Sequence, residues 1–95
     1  MFVIILHYVA PLEQIDTLVE AHQKFLNKYY LLNKFICSGA RVPRKGGVIL
    51  CNANDYKEVS SIIIEDPFYI CEVAKYEIIE FTPAKYAPGF ESFVE

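Results

Sequence analysis

Two side chains in this 95-residue chain have the chemistry for proton transfer: His22, set in a run of apolar positions, and Asp66, directly before Pro67. An imidazole can take or give a proton near neutral pH, and a carboxylate behind it fixes the ring tautomer and raises the basicity of the far nitrogen. Each residue also has a plainer reading. A histidine on an apolar stripe is often a satisfied buried group, and an aspartate before proline is a good helix N-cap that gains about 1 kcal/mol from backbone hydrogen bonds. The two roles are compatible at Asp66, since one carboxylate oxygen can cap the turn while the other holds an imidazole nitrogen.

Groups suited to an anionic ligand accompany this pair. Ser38 offers a hydroxyl, and Arg41, Arg44 and Lys45 stand beside Gly46-Gly47. They suit a phenolate or carboxylate, or equally a solvated hairpin tip. Ser38, Arg44 and Phe68 are the substrate-binding candidates; His22 and Asp66 are the catalytic ones. His7 reads as a core or interface residue. The two histidines lie on different elements, and Cys37, Cys51 and Cys71 contain no CxxC pair, so neither a metal site nor a disulfide framework has spacing to support it. Buried reduced thiols are the expectation. There is no GxSxG, Walker or GxGxxG motif, and no cofactor is expected.

The elements that must position these residues follow from periodicity. Residues 2–9 are rich in β-branched and aromatic residues on both alternating sets, which predicts a strand covered on both faces. Pro11, then Glu13 and Asp16, suit a helix start, and Ile15, Leu18, Val19, His22, Phe25, Leu26, Tyr29 and Leu32 recur at three and four. A helix over about 12–33 therefore points His22 inward or into a cleft. Residues 35–41 and 47–52 read as two strands of a hairpin. Asn54 or Asp55 can cap a second helix ending near Glu65, with Val59, Ile62 and Ile63 inward. A short turn over 69–73 and a last strand over 75–82 complete the order. Strand, helix, strand, strand, helix, strand is the ferredoxin-like βαββαβ arrangement, an α+β fold with an antiparallel sheet and two helices on one face.

The chain reads as one domain over 1–95, with no compositional break. It is 54% hydrophobic, with seven tyrosines and seven phenylalanines. That is more apolar material than two helices on a small sheet need, and it predicts a homodimer or higher homo-oligomer whose sheets cover each other. The aromatic tail over about 84–95 is expected to pack on the partner. A net charge of −3 without a Lys/Arg run argues against nucleic acid and an anionic membrane surface. The opening apolar run is too short to span a bilayer and has no basic segment before it, so a cytoplasmic protein is expected.

Four segments together, Ala21-His22-Gln23-Lys24-Phe25-Leu26, Ser38-Gly39-Ala40-Arg41-Val42-Pro43-Arg44-Lys45-Gly46-Gly47-Val48-Ile49-Leu50, Asp66-Pro67-Phe68 and Tyr76-Glu77-Ile78-Ile79-Glu80-Phe81, resemble the YciI-like (YCII-related) family over nearly the whole chain. The resemblance implies a dimeric α/β barrel of ferredoxin-like subunits. It also implies a catalytic pair made of a helix histidine and the aspartate of the Asp-Pro-Phe element, matching His22 and Asp66. The family usually has Ser-Gly-Pro where this chain has Ser38-Gly39-Ala40, and often a glycine where it has Asn33-Lys34, which puts the wall of the pocket in question. Members with an assigned reaction turn over small ring compounds, including loss of halide from a hydroxylated ring.

Three functions fit these residues. The first is a small cofactor-independent enzyme in which His22, oriented by Asp66, moves a proton on a small polar or aromatic acid, as in isomerase, lyase or dehydrohalogenase chemistry. The second is a non-catalytic dimeric module binding a small metabolite in the same cleft. The third is a purely assembling domain, in which His22 and Asp66 would lie out of reach of each other.

Overall fold

The computed structural model describes residues 1–94. Its elements run β1 (Phe2–Tyr8), α1 (Leu12–Leu31), β2 (Phe35–Ala40), β3 (Gly46–Cys51), α2 (Tyr56–Ile63), α3 (Pro67–Ile70) and β4 (Ala74–Glu80), followed by a 3-10 turn at Phe90–Phe93. The four strands form one sheet in the order β2-β3-β1-β4, and every neighbouring pair is antiparallel. This is the expected ferredoxin-like α+β fold, with the helices packed on one face.

Strand alternation divides the sheet into two unlike faces. Phe2, Ile4 and Leu6 of β1 and Ile49 and Cys51 of β3 are buried beneath Ile15, Phe25 and Leu26 of α1 and Val59 and Ile62 of α2. On the opposite face Val3 and Ile5 are half-buried, and their cross-strand neighbours Ile79 and Val48 are exposed. The first strand is thus apolar on both sides, but a single subunit covers one side fully.

Helix ends depart from the sequence expectation for local reasons. Helix α1 stops at Leu31 because Asn33 takes a left-handed φ of 59°, with the amides of Asn33 and Lys34 bonded back to the carbonyls of Tyr30 and Tyr29. Asparagine tolerates this conformation better than most residues, so it can stand where glycine is usual. Leu32, expected on the buried stripe, is the cap and is exposed. At α2 the cap is Asp55 rather than Asn54: its carboxylate accepts from the Glu58 amide at 2.8 Å, and Glu58 accepts from the Asn54 amide at 2.7 Å. The short turn begins at Pro67 instead of Tyr69, because proline itself occupies its first position. It ends in the same kind of motif, with Glu72 left-handed at φ 56°.

One further expectation is corrected and another narrowed. Only Cys51 is buried; Cys37, opposite Leu50 on the open face, and Cys71, the cap of α3, are exposed thiols. Of the two readings of His7, core or interface, the core is excluded and the interface reading stands. Its half-exposed ring on the open face accepts from Arg41 Nη1 at Nδ1 (3.0 Å) and donates from Nε2 to Glu77 (3.2 Å). In the tail, Tyr86, Phe90 and Phe93 pack on one another, and Phe93 and Val94 border a shallow hollow with Met1 and Pro83. Glu95 lies outside the described residues.

Candidate active site

Helix α1 and the turn before α3 bring the two catalytic candidates together. His22 Nδ1 lies 2.8 Å from Asp66 Oδ1, the imidazole 13% and the carboxylate 1% exposed. The capping geometry anticipated at Asp66 is present, but the division of labour differs. Oδ1 alone serves both tasks, accepting from the Phe68 amide at 3.0 Å as well as from His22, while Oδ2 is taken by the Tyr76 hydroxyl at 2.6 Å. Tyr76 was not among the sequence candidates. Register puts it there: it pairs with Leu6 on the helix-facing side of the sheet, on the strand that follows α3.

A carboxylate has no proton to give, so its three partners must all donate. The Phe68 amide can do nothing else. Burial and the neighbouring Asp66 charge push the Tyr76 hydroxyl well above the usual tyrosine range, so it keeps its proton. The His22 proton therefore sits on Nδ1, and Nε2 carries the lone pair. Nε2 has no hydrogen-bond partner among the described residues and is not sealed from solvent. Beneath the ring lies Phe68, stacked at 4.1 Å between centroids with planes 10° apart.

Glu65, one residue before the carboxylate, anchors this turn to α1. It accepts from Lys28 Nζ at 2.6 Å and from the Tyr29 hydroxyl at 2.5 Å, and those two bonds hold its carboxyl below the ordinary glutamate range.

His22 opens onto a hollow of about 290 Å³ between α1 and the β2–β3 side of the sheet, bordered by Gln23, Leu26, Tyr30, Ser38, Arg44 and Phe68 among others. All three substrate-binding candidates thus border the space that His22 faces. Ser38 stands on the helix-facing row opposite Ile49, and its Oγ is 2.6 Å from the Tyr30 hydroxyl. Tyr30 falls four and eight residues after Leu26 and His22, a spacing that would have marked it as a wall residue. Arg44 Nη2 donates to Asp16 at 2.6 Å at the rim, and this bond raises the guanidinium above its usual range. Both side chains are well exposed, so the pair is weak and an incoming anion can compete for the guanidinium. Arg41, grouped with Arg44 by sequence, instead bonds His7 on the other face. Among the described residues, no three His, Cys, Asp or Glu side chains converge as a metal site.

The fold and this hollow define a class: a ferredoxin-like α+β subunit that presents a carboxylate-backed imidazole to a small cavity. The YCII-related domain matches residues 1–82, and the chain belongs to the YCII-related family. Among solved structures it is similar to the 5-chloro-2-hydroxyhydroquinone dehydrochlorinase TftG of Burkholderia phenoliruptrix AC1100, in complex with 2,5-dihydroxybenzoquinone. The TM-score is 0.72 at 18% identity, over 85% of this chain and 93% of that one, a likeness of fold. No curated protein matches the chain.

Proposed function

We propose that this protein is a cofactor-independent acid–base catalyst of the isomerase, lyase or dehydrohalogenase type, acting on a small polar or aromatic acid. The observation that carries the reading is the His22–Asp66 contact, with Nε2 left free beside the hollow. The similar fold of a dehydrochlorinase with a small ring compound bound lends support.

In this reading His22 Nε2 removes a proton from a substrate O–H or C–H, and Asp66 stabilises the imidazolium that forms. The electron pair left on the substrate either forms a new double bond as the leaving group departs with its own bonding pair, Nε2 then giving its proton to that group or to solvent, or takes a proton back from Nε2 at another atom. Arg44, with the Tyr30–Ser38 hydroxyls, holds the anionic end, and the apolar wall of Leu26 and Phe68 takes the rest of the molecule. The working unit is a homodimer paired through the open sheet face, a single domain over 1–95 with the 84–95 tail against its partner, in the cytoplasm. Among the described residues no helix is long and apolar enough to cross a membrane.

The test is turnover of a panel of hydroxylated and halogenated aromatic acids. His22→Gln and Asp66→Asn are expected to lower kcat by about 10²–10⁴-fold, and the wild type to lose activity on the acid side as Nε2 takes up a proton. Undiminished turnover by His22→Gln overturns the reading. A ligand that binds and is recovered unchanged would favour a metabolite-binding module instead.

A further inference from the structure

Asp66 is held by more than its role as base partner requires. Its side chain is 1% exposed, and three donors share its two oxygens: His22 and the Phe68 amide on Oδ1, Tyr76 on Oδ2. The Phe68 amide is a backbone group that follows from the cap, but the Tyr76 hydroxyl is a side-chain choice made by this chain. Its ring is half-buried on β4 and rests edge-on against Tyr69, with centroids 5.9 Å apart. A phenol at this place must keep a hydrogen bond, and the carboxylate oxygen is the acceptor it has.

From this geometry we infer that Tyr76 is a positioning residue of the site: its hydroxyl pins the plane of the Asp66 carboxylate and tempers the negative charge that reaches His22. The inference rests on the reading of His22 as the base. With Oδ2 occupied, rotation of the carboxylate breaks the Tyr76 bond, so Oδ1 stays aimed at Nδ1. A donor on Oδ2 also draws charge away from Oδ1. Removing it from a carboxylate only 1% exposed leaves that charge on the imidazole side, which favours the imidazolium. Tyr76 therefore makes His22 a weaker base than a lone aspartate would. The base then releases its proton more readily to product. The other titratable groups around the imidazole are Tyr8, Tyr30 and Arg44, which border the same hollow and do not touch Asp66.

The chain holds two histidines on opposite faces of the sheet, so the test has an internal reference. Imidazole resonances are followed by NMR against pH in the wild type and in Tyr76→Phe, with His22 assigned through His22→Gln. The protonation midpoint of His22 is expected to rise by about half to one pH unit, while that of His7 stays in place. An unchanged or lowered His22 midpoint overturns the inference. Should Tyr76→Phe fail to fold, 3-fluorotyrosine incorporated at position 76 alone decides, since its more acidic hydroxyl is a stronger donor. The His22 midpoint must then fall, and no change or a rise overturns the inference. Neither readout needs a substrate. A shifted midpoint beside undiminished turnover in His22→Gln sinks the catalytic proposal and leaves the positioning intact.

Discussion

The imidazole of His22 lies flat on the ring of Phe68, with centroids 4.1 Å apart and planes inclined by 10°. Phe68 is 2% exposed, so it is as much the floor of the histidine as a wall for a ligand. Phe68→Ala is expected to lose about 3–5 kcal/mol in chemical denaturation, because the cavity left behind cannot collapse fully. It should also loosen the imidazole, seen as broadened His22 resonances. A loss below about 1 kcal/mol would show that the ring is not part of the core.

Alkaline pH should unfold the protein from a predictable point. Burial, aided by the Glu58 charge, pushes the Cys51 thiol up from 9.0 to about 11, and burial also raises the Tyr76 and Tyr29 hydroxyls above 10.0. A group whose folded value is raised keeps its proton in the native state after the unfolded chain has lost it. Its contribution is therefore complete below the unfolded value and disappears as pH climbs to the folded one. For Cys51 that window is pH 9 to about 11, with a slope of about 1.4 kcal/mol per pH unit. Cys51→Ala should flatten the decline between pH 9 and 11 without abolishing the tyrosine part above it. A parallel curve for that variant would count against a buried thiol.

At the start of β3, Gly46 lies so close to β1 that an added Cβ would stand 1.7 Å from the Leu6 carbonyl oxygen. The obstacle is backbone and cannot swing aside. Gly46→Ala should cost about 1–3 kcal/mol or more through displaced pairing of β1 and β3. Gly39, with nothing within 4 Å of such a carbon, should accept alanine at far smaller cost. Equal melting temperatures for the two variants would contradict the close approach.

The open face of the sheet carries Val48 and Ile79, 39% and 44% exposed, beside half-buried Val3 and Ile5. If a second copy covers it, sedimentation at micromolar concentration gives a dimer, and Val48→Glu or Ile79→Glu gives a folded monomer. A wild type that sediments as a monomer removes the dimer from the proposal.

Much of the architecture was written in local pattern. The three- and four-residue recurrence from Ile15 onward determined the helix and turned His22 inward, and Asp66-Pro67 declared a cap followed by a turn. These are properties of adjacent residues, set by backbone dihedrals and by which side of an element meets the core. The exposed Leu32 and Cys37 escaped because apolarity alone does not say where a stripe runs past the edge of the sheet or which face a bulged strand presents.

Only the folded chain decided who meets whom. Residues 44 positions apart, His22 and Asp66, touch because α1 packs on α3. Tyr76 reaches Oδ2 because β4 pairs with β1 in the register that places it opposite Leu6. Arg41 and Arg44, three apart in sequence, go to opposite faces because both lie past the end of β2 at Ala40, in the connection to β3, where strand alternation no longer sets the side. A side-chain partner across such distances depends on sheet register and helix packing summed over the whole core, and no short window of sequence contains that sum.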